Sequence, residues 1–166
     1  MPGRPAARVA DSVTHPLPPV LGIGPGAITV LIGSRPAWRG VGAAAAAAIS
    51  SAKQTSDRAL DAAKAARIAA SGTPGAPAAI AAEETAKATA AATMGSLISS
   101  MAGLADIHTC ATLLPAPPHG PGVVLNGSQT VLVNGMPLCR QGDSVTEAVG
   151  PPNPITMGAV NVLVGG

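Results

Sequence analysis

Five side chains in this 166-residue chain stand out as candidate metal ligands: His15, His108, Cys110, His119 and Glu147. They are far apart in sequence, and an internal repeat brings their positions into correspondence. Residues 5–33 and 137–165 align without a gap at a constant offset of 132, with Arg8/Arg140, Asp11/Asp143 and Gly26/Gly158 among the identities. A middle copy opens at Pro36-Ala37-Trp38-Arg39, is interrupted after Gly42, resumes at Asp106 and ends in Gly127-Ser128-Gln129-Thr130-Val131-Leu132-Val133. The residue four places after each repeat's aspartate is then His15, Cys110 or Glu147, so three metal-capable groups share one position. His108 lies two residues before Cys110, on the same face of an extended backbone. The longer turn of the middle copy carries His119.

Three imidazoles and a thiolate would make a closed, tetrahedral, structural zinc site. That set is His15, His108, His119 and Cys110, with Glu147 the alternative fourth ligand or a polar neighbour. The competing reading is three scattered surface histidines, since His-x-Cys spacing is common by chance. Cys139 is level with Ala7 and Trp38 and reads as a small buried residue. Asp11, Asp106 and Asp143 read as turn residues that accept hydrogen bonds from backbone N–H groups. A hydrolase or deaminase would need an open metal site and a nearby general base. Glu147 stands without a His-x-Glu or Cys-x-x-Cys partner pattern, so the chain is read as non-enzymatic.

The elements that must position these groups are short. Runs such as Ile28-Thr29-Val30-Leu31-Ile32, bounded by glycine and proline, predict strands. A repeat of about 30 residues cannot bury a core alone, so three copies packed around a pseudo-threefold axis are expected. The chain has no Phe, no Tyr and one Trp, so a core built on aromatics is not expected. Residues 43–105 change character: good helix formers, a Ser71-Gly72-Thr73-Pro74-Gly75 break, then helix formers again. This predicts an inserted Ala-rich helical hairpin, with Met94, Leu97, Ile98 and Met101 as one apolar stripe. The expected organisation is a β domain in two parts, residues 1–42 and 106–166, flanking the insertion at 43–105. The net charge of +2, with no basic stripe, gives no support to nucleic-acid binding. The N-terminal residues do not read as a secretory signal, so synthesis in the cytoplasm is expected. The uncharged stretch between Lys87 and Asp106 is rich in Ala, Thr, Ser and Gly, and reads as a packed helix rather than a membrane span.

These residues resemble the PAAR-repeat family. The resemblance rests on Pro5-Ala6-Ala7-Arg8, Asp11, His15, Asp106-Ile107-His108-Thr109-Cys110, Pro118-His119-Gly120 and Gly127-Ser128-Gln129-Thr130-Val131. It implies a mainly β fold, three repeats forming a small cone with a zinc ion near the apex. Carried onto this chain, the ligands are His15, His108, His119 and Cys110; many members have cysteine where this chain has Glu147. The implied role is a cap, one per trimer, on the VgrG-type spike of a type VI secretion or related contractile injection system. Such a cap is assembled in the bacterial cytoplasm and expelled on firing, aiding membrane puncture and effector delivery. The alternative is an adaptor whose helical insertion recruits a separate effector or chaperone.

Overall fold

The computed structural model describes residues 3–14, 19–22, 24–109 and 119–165. In chain order the elements are β1 (Arg4–Ala6), β2 (Ala27–Ile32), β3 (Arg35–Ala37), α1 (Ala43–Ala69) and α2 (Ala76–Met101). There follow β4 (His108–Thr109), β5 (Pro121–Val124), β6 (Leu132–Val133), β7 (Met136–Pro137), β8 (Ser144–Glu147), β9 (Asn153–Pro154) and β10 (Ala159–Val164).

The strands of two to six residues are too short to stand as isolated sheets. They are joined cyclically instead. The closing strand of each repeat pairs antiparallel with the opening strand of another: β2 with β3, β6 with β7, and β10 with β1. Two of these pairings turn through two residues with positive φ, Gly33-Ser34 and Asn134-Gly135, as a right-twisted hairpin requires. Inside them lies a closed ring of backbone hydrogen bonds. Ala7 N–H donates to the Cys139 carbonyl (2.8 Å), Cys139 N–H to Trp38 (2.9 Å), and Trp38 N–H to Ala7 (3.0 Å). A second ring runs the other way, from Val9 to Pro36, Gly40 to Pro137 and Gln141 to Pro5, at 2.8–2.9 Å.

One apolar cluster joins Ala6, Ala37 and Leu138 to Ile32, Val133 and Val164, and a second joins Ala7, Trp38 and Cys139 to Val13, Val145, Leu21, Val124 and Ile155. Each set draws equivalent positions from all three repeats. Apart from Trp38, apolar side chains of modest size suffice because each layer is small.

An arginine–aspartate pair repeats in every copy. Arg8 and Asp11, Arg39 and Asp106, and Arg140 and Asp143 each make the same contacts: the arginine N–H and Nε both donate to Oδ2, and Nη2 donates to Oδ1. All three aspartates are buried, and their own N–H groups donate back to the arginine carbonyls at 3.0–3.1 Å. The aspartates are thus turn residues, as expected, and also anchors for guanidinium groups. Arg35 adds a second ion pair to Asp11, and Arg4 adds one to Asp143.

In the first and third repeats two residues separate the arginine from the aspartate; in the middle repeat residues 40–105 do. The helices therefore interrupt a β-turn, and the Arg39–Asp106 pair ties the two ends of the interruption together. α1 and α2 pack against each other, linked by an ion pair from Arg67 to Glu83, which Lys87 also engages from within α2. Their near ends dock on the β structure through Ile49, Met94, Ile98 and Ala102, which meet Val41, Val123 and Ala148. The expected stripe is thus only partly core, since Leu97 and Met101 are half-buried. No helix among the described residues is long and apolar enough to cross a membrane.

The gap-free offset of 132 fails locally. Leu21 and Ile155 make equivalent bonds, each N–H donating at 2.8 Å to the carbonyl of Asp11 or Asp143, and they are 134 apart. The third repeat has two more residues before this point and two fewer after it, so the strands come back into step at Ala27 and Ala159.

Arg39→Met leaves Asp106 buried without its guanidinium. Unfolding in urea is expected to show a loss of about 3–5 kcal/mol. Arg67→Met is expected to cost less than about 1 kcal/mol, because the arginine is well exposed and Glu83 keeps Lys87 at 2.7 Å. Similar losses for both would contradict a special role for the pair at the turn.

Candidate metal centre

Three of the five metal-capable residues fall in the described structure, and it brings them together. His108 is on β4, Glu147 ends β8, and His119 directly precedes the start of β5 by two residues. His15 and Cys110 lie outside the described residues. β5 runs between β4 and β8, and its Gly122 pairs with His108 on one side and Glu147 on the other.

Gly122 is what lets the flanking side chains meet. A Cβ there would lie 2.8 Å from Glu147 Cγ and 2.7 Å from Val145 Cγ1. Across that gap His108 Nε2 is 3.7 Å from Glu147 Oε1. From the other direction His119 Nδ1 is 3.0 Å from Glu147 Oε2, and Asn153 Nδ2 donates to the same oxygen at 3.1 Å. His108 and Glu147 are fully buried, while His119 is half-buried.

The carboxyl of Glu147 is raised to about 7, because burial penalises its charge; the Asn153 amide opposes this by favouring the carboxylate. A buried acid this close to two imidazoles is well suited to share a proton or a cation with them. Among the described residues, no three His, Cys, Asp or Glu side chains already surround a common point. Glu147 lies against both imidazoles instead.

His108 also replaces a core residue. Its counterparts, two places after the aspartate, are Val13 and Val145, both in the second apolar cluster. Cys139 lies in that cluster too, with its thiol pKa pushed well up by burial. This matches its reading as a small buried residue. Sequence reasoning missed Gly122 and Asn153. Asn153 carried no legible signal, because the local two-residue shift hid its place in the repeat. Gly122 could have been found as the glycine that opens the Val123-Val124 run.

Residues 115–166 match the family model for the PAAR motif. The chain carries a PAAR motif. The matched segment contains β5 to β10, and with them His119, Gly122, Glu147 and Asn153. A PAAR motif at this place is consistent with a PAAR-repeat protein, and points to a spike-associated protein of type VI secretion. Searches of curated proteins and of solved structures return no match.

Gly122→Ala is expected to force Glu147 and Val145 aside, costing about 1–3 kcal/mol in urea unfolding. Gly22→Ala, where an added Cβ meets nothing within 4 Å, is expected to stay within about 0.5 kcal/mol of wild type. Equal effects would show that the close approach over Gly122 is not a constraint.

Proposed function

We propose that this chain is a non-enzymatic tip that caps a trimeric, VgrG-like spike of a type VI secretion or related contractile injection system. Its three repeats surround a pseudo-threefold axis and taper to a cone. The observation that carries this reading is a face of equivalent apolar residues. Leu31, Leu132 and Leu163 occupy the same place on β2, β6 and β10 and are 60%, 57% and 62% exposed. Each stands beside a buried partner, Ile32, Val133 or Val164. Apolar residues held outward once per repeat fit a partner that itself has three equivalent chains. The two cyclic rings of backbone bonds and the three Arg–Asp pairs support the axis.

The metal centre lies beyond the second apolar cluster, since Glu147 is two residues farther along β8 than Val145. Its donor chemistry fits zinc, with two imidazoles and a carboxylate converging over a glycine. Zinc would supply a cross-link between repeats. His108 and His119 would hold it, with His15 and Cys110 as the remaining ligands read from the sequence. In this reading metal binding contributes folding free energy to an end with little core. After firing, the tip is the part that meets the target membrane, and it carries effectors with it.

The triple variant Leu31→Glu, Leu132→Glu, Leu163→Glu tests the cap. These side chains are exposed, so its melting temperature is expected to stay within a few degrees of wild type. Its co-purification with the trimeric spike protein is expected to fall by about tenfold or more. Undiminished binding would sink the docking face.

A further inference from the structure

We propose that Glu147 coordinates the metal directly through a carboxylate oxygen, alongside His108 and His119, in the place the sequence reading gives to Cys110. This rests on the zinc reading above and assigns a ligand within it.

The geometry supports a donor role over a purely orienting one. A carboxylate that only orients one histidine needs one contact with one imidazole. Glu147 instead presents a different oxygen to each of two: Oε2 to His119 Nδ1 at 3.0 Å, and Oε1 to His108 Nε2 at 3.7 Å. Ligand atoms on a tetrahedral zinc ion, at about 2.0–2.2 Å from it, lie about 3.3–3.6 Å from one another. The two contacts fall either side of that spacing and are to different oxygens, so a metal held by one oxygen needs only a small turn of the carboxylate.

The carboxylate is also held from behind. Asn153 donates to Oε2 at 3.1 Å, which fixes the group as second-shell bonds fix metal ligands. Its stem fills the space over Gly122 that any other residue would occupy. The two imidazoles come from the middle repeat and the carboxylate from the third, so a metal bound by all three would cross-link two repeats. The carboxylate sits four residues after Asp143, where the repeat alignment places His15 in the first copy.

The test uses the full chain as wild type and as the single variants Glu147→Gln, Cys110→Ser and His108→Ala. Zn2+ affinity is measured by competition with a chromophoric chelator near neutral pH, and Co2+-loaded samples give visible spectra. Glu147→Gln is expected to weaken Zn2+ binding about tenfold or more and to move the Co2+ ligand-field bands. Cys110→Ser is expected to change affinity by less than about threefold, with no thiolate charge-transfer band in the wild-type Co2+ spectrum. Wild-type affinity and unmoved bands in Glu147→Gln, while His108→Ala loses about tenfold, would overturn the Glu147 assignment and leave the zinc reading standing. A thiolate band that disappears in Cys110→Ser would overturn it from the wild-type spectrum alone, whatever the folding of the other variants. No stoichiometric Zn2+ in wild type, or unchanged affinity in His108→Ala, would overturn the zinc reading itself.

Discussion

Closing three short repeats into a ring satisfies backbone groups that no single repeat could satisfy. Ala7, Trp38 and Cys139 each donate to one neighbour and accept from the other, and all three are fully buried. A buried N–H or C=O without a partner costs about as much as a lost hydrogen bond, so no member of the ring is dispensable. Closure also removes the exposed edges that strands of this length would otherwise present. The buried Arg–Asp pairs brace the turn next to each ring residue. With no Phe or Tyr in the chain, guanidinium groups paired to buried carboxylates fill space that aromatics would fill in a larger core. Each pair carries its desolvation cost through three hydrogen bonds, one of them from backbone.

The helical insertion obeys the same constraint. A β-turn tolerates 66 residues in place of two, residues 40–105, because the atoms that define it are still joined. Asp106 N–H reaches the Arg39 carbonyl at 3.0 Å, and the Arg39 guanidinium reaches the Asp106 carboxylate. Loop-closure entropy grows slowly with length, and one buried pair with its backbone bonds can offset it. The helices are not merely tethered. Met94 and Ile98 pack with Val123 and Ala148, which adjoin Gly122 and Glu147. The insertion and the candidate site therefore share β5 and the end of β8.

Much of this was legible from residue types. The doubled ends revealed the repeats, and the Ala-rich composition with its Gly-Thr-Pro-Gly break revealed the two helices. Mapping each repeat onto the others brought His108, His119 and Glu147 to one region. What stayed hidden depends on neighbours in space. The Arg–Asp pairing went unread because the i,i+3 spacing of Arg8–Asp11 and Arg140–Asp143 does not recur in the middle copy, whose pair spans 67 residues. Asn153 and Gly122 act only through side chains that approach them from other strands. The two-residue shift between Leu21 and Ile155 escaped because the identities on either side of it, Asp11/Asp143 and Gly26/Gly158, keep the offset of 132.

The ring makes the three repeats one cooperative unit, and amide hydrogen exchange on the native protein tests that most directly. The N–H groups of Ala7, Trp38 and Cys139, together with those of Val9, Gly40 and Gln141, should be among the slowest to exchange. All six should report the same opening free energy, equal to that of global unfolding. Faster exchange of the set belonging to one repeat, with the other two still protected, would show that the repeats open separately and that the ring is not what holds the fold.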